Sequence, residues 1–302
     1  MRQFKGVISP VITPFDLSGK VYEQGFDNLF KFLSDNGIDG VFCIGSYGSF
    51  PLLELEERKY ATKLAIEKSA KYGLKNIIQV GHADTKYTIE LARYAESLSA
   101  DAVAIVVPYY YSGHAYDQSN ILSHFQAVRD AVSLPLHFYN NPRTTKVSAT
   151  PDFLSNIVKM GFDGMKDSGS DMVLFKEYAE AVWKVNPDFD LMPGSGSVFL
   201  KGFELGAEAC VAGTSMAFPK LVVKMYKEIV SGDYSNAKTT QVLVNKARDI
   251  QNKYNMRPAA AYDIVKMQGV DIGQPRAPWR KLTDKEFIKT ERELRNIKAL
   301  GD

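Results

Sequence analysis

Ala102-Val103-Ala104-Ile105-Val106-Val107-Pro108 is an unbroken apolar run closed by a proline. A run this short, with valine and isoleucine at most positions, reads as a strand. Its lack of polar alternation means that both faces are covered, as in a parallel sheet with helices on either side. The flanks agree, since Asp84–Ser99 before it and Asp117–Val132 after it carry helical patterns. Outward from there the strand-then-helix unit recurs about every thirty residues, the length of a βα repeat. The other strands are expected at Gly6–Thr13, Gly40–Gly45, Asn76–His82, Pro135–Asn140, Gly164–Ser168, Phe189–Pro193 and Ala209–Thr214. Helical patterns cover Tyr22–Asn36, Leu55–Lys71, Asp171–Val185 and Pro219–Ser231. Others begin at Thr150-Pro151, an N-cap followed by proline at the first helical position, and after Gly194–Ser197. Eight such units predict a closed (β/α)8 TIM barrel over residues 1–231 rather than an open sheet. Residues 232–302 lack strand alternation. Helical patterns at Asp233–Tyr254, Pro258–Gln268 and Thr283–Ala299, with a Pro275/Pro278 linker, predict a C-terminal helical domain.

Composition narrows the partners. The 302 residues are 45% hydrophobic, and 37 basic against 35 acidic side chains leave a net charge of +2, interspersed rather than blocked. That argues against nucleic acid or a membrane surface as the main partner. No apolar run approaches the roughly 20 residues that span a bilayer. Met1–Gly6 leads straight into a strand, so no secretory leader is expected and the protein reads as cytoplasmic. Cys43 and Cys210 are far apart and lack paired spacing, so neither a metal site nor a disulfide framework is expected.

In a parallel barrel the reactive side chains lie at the C-terminal strand ends and in the loops that follow. Gly45–Ser49, Pro108–Tyr111, Tyr139–Arg143 and Lys166–Ser168 therefore form the candidate site. Lys166 falls in a short, buried strand, where desolvation favours the neutral amine that attacks a keto group. Tyr139 and Tyr110 are phenols able to pass protons. The backbone N–H groups of Ser46 and Tyr47, flanked by glycines and followed by a helix, suit a carboxylate.

These motifs resemble, in order and spacing over nearly the whole chain, the dihydrodipicolinate synthase and N-acetylneuraminate lyase family of pyruvate-dependent Schiff-base barrel enzymes. The resemblance puts the family's lysine on Lys166 and its Tyr-Asn-x-Pro tyrosine on Tyr139. The carboxylate-holding Gly-Thr-Thr-Gly-Glu loop falls on Gly45-Ser46-Tyr47-Gly48-Ser49, and the Pro-Tyr-Tyr segment on Pro108-Tyr109-Tyr110. The turn after strand seven falls on Gly194–Ser197. It implies Lys166, Tyr139, Ser46 and Tyr110 as catalytic residues, with Gly45, Tyr47, Arg143, Gly194 and Val211 binding substrate. It further implies pyruvate and an aldehyde as substrates, no metal and no organic cofactor. A homodimer or homotetramer is implied too, with Tyr110 donated to a neighbouring subunit's site and Tyr109 and Tyr111 at the interface.

The departures bear on the substrate. Tyr47 replaces the loop's second threonine and Ser49 its glutamate. Thr144 stands where dihydrodipicolinate synthases carry an arginine, with Arg143 one position earlier and, by strand alternation, turned from the pocket. The pattern is closer to lyases that cleave or form 2-keto-3-deoxy sugar acids. The alternative is 4-hydroxy-tetrahydrodipicolinate synthesis from pyruvate and aspartate semialdehyde, and a different class would be a non-catalytic keto-acid sensor. Three further features have modest readings. Gly194–Ser197 could cradle phosphate. His82, His114, His124 and His137 are scattered, His137 reading as a satisfied core residue. Glu54-Leu55-Glu56-Glu57 opens a helix as a solvated acidic run.

Overall fold

The computed structural model describes residues 1–111, 115–254 and 258–300; His114 lies outside them. Eight strands form one sheet: β1 (Gly6–Pro10), β2 (Gly40–Cys43), β3 (Lys75–Gln79), β4 (Ala102–Val106), β5 (Leu136–Asn140), β6 (Gly164–Asp167), β7 (Asp190–Pro193) and β8 (Ala209–Val211). Their order is β7-β6-β5-β4-β3-β2-β1-β8, and β7 also packs on β8. Pairing is parallel throughout the central run, with Ile77 opposite Ala102, Val103 opposite Leu136 and Gly164 opposite Asp190. With helices between the strands this is the expected (β/α)8 barrel followed by C-terminal helices. Every strand residue but Lys75 is buried, which is why the sequence shows apolar runs rather than alternation.

Asp and Thr side chains start the helices as N-caps. Asp84 accepts from Lys86 N, Asp117 from Asn120 N, Asp171 from Val173 N and Leu174 N, and Thr150 from Phe153 N. Strand ends are shorter than expected. β1 stops at Pro10 and β8 at Val211, where Gly213–Ala217 turns helical, so Thr214 is not a strand residue. An unexpected helical turn, Pro142–Thr145, follows β5, with Pro142 at its first position.

The chain divides into two compact units, Met1–Lys5 with Asn76–Val211 and Gly6–Lys75 with Ala212–Asp302. The C-terminal helices thus group with the first two strands. Within the first unit Phe138, facing outward from β5, packs on Phe125 and Phe153 with ring centroids 5.4 and 5.7 Å away. Within the second, the Tyr262 hydroxyl donates to the Thr13 carbonyl at 2.6 Å and the Thr13 hydroxyl to the Gly48 carbonyl at 2.7 Å. Arg276 grips both oxygens of Glu57 at 2.5 and 2.9 Å, donates to Leu52 O at 2.9 Å and lies 4.3 Å over the Phe15 ring. Glu57 is therefore not a solvated charge, since the Arg276 hydrogen bonds hold its carboxyl below the usual range. Among the described residues no helix is long and apolar enough to cross a membrane.

Candidate active site

Lys166 and Tyr139 are direct neighbours on β6 and β5. Side chains alternate along a strand, so paired residues on adjacent parallel strands point the same way. Both are buried, with exposures of 4% and 3%, and Lys166 Nζ sits 4.3 Å from the centre of the Tyr139 ring. Burial, with a smaller contribution from the positive charge of Arg143, brings the lysine pKa down from 10.5 to about 7. An ordinary lysine is almost wholly protonated at neutral pH; this one holds a substantial fraction of free amine, which is the nucleophilic form.

Arg143 stands on the Pro142–Thr145 turn, with its side chain exposed. Its positive charge is nevertheless near enough to contribute to the lowered lysine pKa. Strand alternation ends with β5 at Asn140, so a period of two no longer decides where position 143 points. The same turn introduces a residue that the sequence reading left out. Asn141, 5% exposed, donates its Nδ2 to the Tyr139 hydroxyl at 3.1 Å.

The next residues on both strands face the other way. Asn140 Nδ2 donates to Asp167 Oδ1 at 2.8 Å, Gly169 N to the same oxygen at 3.0 Å, and Ser168 N to the Asn140 carbonyl at 2.9 Å. Burial holds the Asp167 carboxyl above its usual range, only partly opposed by these donors. Gly194 donates its N–H to the Asp167 carbonyl, and a Cβ there would fall 2.5 Å from that oxygen. Only glycine fits. In the following turn the Ser195 and Ser197 hydroxyls bond each other at 2.9 Å. Val211 is the buried last residue of β8.

Gly45, Ser46 and Tyr47 belong to the other unit. Their loop leaves β2 with Ile44 at φ +55° and ends at Ser49, φ +53°, with Ser49 N bonded to the Ser46 carbonyl at 3.2 Å. A Cβ at Gly45 would meet the Phe42 ring at 2.8 Å. The Tyr47 ring lies so close to Gly213 that a side chain there would displace it, and its hydroxyl accepts from Gln251 Nε2 at 3.2 Å. Tyr110 is exposed at 78% with φ +84°, its ring edge-on to Tyr111 at 4.9 Å.

The histidines lie elsewhere. His82 Nδ1 accepts from Asp84 N at 3.0 Å and His124 pairs with Thr85 at 2.9 Å. His137 is fully buried at the start of β5 beside Phe4. It is a core residue, but neither ring nitrogen has a hydrogen-bond partner. Burial lowers its pKa to about 3 and raises that of Asp190 to about 7, so the two, 3.9 Å apart, form no ion pair. Among the described residues no group of three or more His, Cys, Asp or Glu is placed to hold a metal ion. Both cysteines are buried and neither is in a disulfide.

Barrel topology, with Tyr139 and Lys166 at the C-terminal ends of β5 and β6, is the arrangement found in (β/α)8-barrel enzymes. The comparisons say which. Residues 3–297 match the model of the dihydrodipicolinate synthetase family, and the chain belongs to that family. It is 33% identical over 235 residues to the 4-hydroxy-tetrahydrodipicolinate synthase of Bartonella bacilliformis, covering 77% of this chain and 78% of that one. It is 27% identical over 292 residues to the 2-dehydro-3-deoxy-phosphogluconate/2-dehydro-3-deoxy-6-phosphogalactonate aldolase of Sulfurisphaera tokodaii, covering 97% of each. Among solved structures, YagE from E. coli K12, a dihydrodipicolinic acid synthase family protein in complex with pyruvate, superposes with a TM-score of 0.90 at 25% identity, covering 98% of this chain and 99% of that one. The protein is a lyase of the pyruvate-dependent aldolase type.

Proposed function

We propose that Lys166 forms an imine with the keto carbon of pyruvate or a related 2-keto acid, and that Tyr139 moves the protons. The observation that carries this reading is the buried amine, its pKa near 7, set against the Tyr139 ring. The neutral amine adds to the carbonyl carbon, and the resulting carbinolamine loses water to leave a protonated imine. That imine is an electron sink. The C3–C4 bond of a 4-hydroxy-2-keto acid then breaks, its electron pair forming the enamine while the 4-hydroxyl proton passes to a base and the aldehyde leaves. Condensation runs the same steps backwards. Tyr139 is the group that takes and returns the proton, and no organic cofactor is needed for the electron flow.

By the motif match, Gly45, Ser46 and Tyr47 bind the keto-acid carboxylate, Ser46 extends the hydroxyl relay, and Gly194 and Val211 line the substrate side. We assign the substrate to the 2-keto-3-deoxy sugar acids, a reading supported by the near full-length match to the Sulfurisphaera aldolase and by Tyr47 in place of threonine. Arg143 favours a second reading. Its charge reaches Lys166 and would suit the acidic aldehyde of 4-hydroxy-tetrahydrodipicolinate synthesis. The reading carries with it a cytoplasmic homodimer or homotetramer in which Tyr110 serves a neighbour's site.

Borohydride reduction in the presence of pyruvate tests the mechanism. It should add one reduced pyruvate to the wild-type mass at Lys166 and none to Lys166→Ala. A wild type without the adduct would leave a non-catalytic barrel. Pyruvate release or consumption across a panel of sugar-acid substrates and aldehydes, aspartate semialdehyde included, then separates the two substrate classes.

A further inference from the structure

Asn141 lies between two residues with evident duties. Asn140 is engaged with Asp167 behind the catalytic face, and Pro142 opens the helical turn. The Asn141 backbone is held from several sides. Its carbonyl accepts from Thr144 N and Thr145 N, each at 3.1 Å, and from the Thr144 and Thr145 hydroxyls at 3.2 and 3.0 Å. With Pro142 restricting its conformation as well, the side chain departs from a fixed base. That side chain is buried, and its Nδ2 donates to the Tyr139 hydroxyl oxygen at 3.1 Å.

A phenol has a single proton to give. When its oxygen accepts from an amide N–H, the O–H is turned away from that amide and lies elsewhere in the ring plane. A neutral donor in a buried site also meets the oxygen as it gives up its proton, without setting another full charge beside Lys166. The Lys166 amine lies 4.3 Å from the ring centre, whereas the amide meets the hydroxyl oxygen. We propose that Asn141 is a positioning residue for Tyr139: its side-chain amide holds the phenol oxygen in the orientation from which protons are passed. This rests on the imine chemistry proposed above, and it gives a role to a position with no place in the motif.

The test measures the rate of pyruvate imine formation, by borohydride quenching and intact mass, in the wild type, Asn141→Leu, Tyr139→Phe and the double variant. Leucine matches asparagine in shape and lacks the donor. Asn141→Leu should slow the saturated rate about tenfold, the worth of one buried hydrogen bond, while half-saturation by pyruvate changes less than about threefold. In the Tyr139→Phe background the same substitution should have no further effect, because its target oxygen is gone. Asn141→Ser, smaller and still polar, repeats the series should the leucine variant not fold. Equal losses in both backgrounds, or a folded Asn141 variant with the wild-type rate, would overturn the positioning role. A wild type that forms no adduct overturns the function first and this inference with it; normal wild-type trapping with additive losses overturns the inference alone.

Discussion

Substituting Lys166 by methionine keeps the unbranched stem and exchanges the amine for a thioether, so it isolates the cost of burying a titratable group. The ammonium pKa falls from 10.5 to about 7, with burial the larger cause. At roughly 1.4 kcal/mol per unit, the folded state at neutral pH loses on the order of 4 kcal/mol relative to a chain that carries no charge there. Methionine forfeits the cation–π contact with the Tyr139 ring, worth about 1–2 kcal/mol in a desolvated setting. The variant is therefore expected to be more stable by on the order of 2–3 kcal/mol, and inactive. For a chain of this size each kcal/mol moves the thermal midpoint by about 2–4 °C. The gain also has a pH signature. Between the folded and unfolded pKa values the unfolded chain holds a proton that the folded chain has released, so wild-type stability rises with pH across that window. The advantage of Lys166→Met should be full at and below neutral pH and shrink as pH climbs from about 7 towards 10.5. Thermal midpoints of both proteins across that range decide the matter. A variant melting at or below the wild type at neutral pH, or a gap that does not change with pH, would refute the buried-amine reasoning.

Arg143→Ala removes the positive charge that helps to depress Lys166, so the lysine pKa should rise and imine formation at neutral pH should slow. The effect should be smaller than that of burial, the first cause of the shift. Borohydride trapping against pH checks it: the profile should move to higher pH, and an unmoved profile would remove Arg143 from the site's electrostatics. For the proposed shared site, chains carrying Tyr110→Phe and chains carrying Lys166→Ala should recover activity when mixed, since one site of the mixed dimer then bears both lesions and the other neither. No recovery would place Tyr110 outside a neighbour's site.

The parts of the site legible in the sequence are those governed by local rules. Apolar runs with both faces buried gave away the strands, and the strand-end rule brought Tyr139 and Lys166 into one candidate site. The Thr150-Pro151 helix start behaves as its residue types dictate. What escaped depends on contacts distant in sequence, or on a rule carried past its range. Arg143 could not be placed by alternation, which ends at Asn140 and gives way to a helical turn. Glu57 looked solvated because its partner, Arg276, is 219 positions away. The replacement of threonine by Tyr47 was legible, but its contacts with Gly213 and Gln251 were not. Asn141 carries no signal at all, since asparagine before proline is ordinary turn chemistry.

Strand alternation also explains why the candidate reactive residues come as the dipeptides Tyr139-Asn140 and Lys166-Asp167. Each strand end supplies one group to each face. On the inner face Lys166 lies over Tyr139; on the outer face Asn140 bonds Asp167. A one-residue slip of either strand against the other would turn that strand's candidate reactive side chain outward, and it would break the Asn140–Asp167 bond and leave two buried polar groups unpaired. The Ser168 N–H on the Asn140 carbonyl and the Gly194 N–H on the Asp167 carbonyl extend the same hold across β5, β6 and the turn after β7. The polar pair behind the sheet thus penalises the misalignment that would separate the amine from the phenol. The placing of Lys166 depends as much on the residues that face away from it as on those it touches.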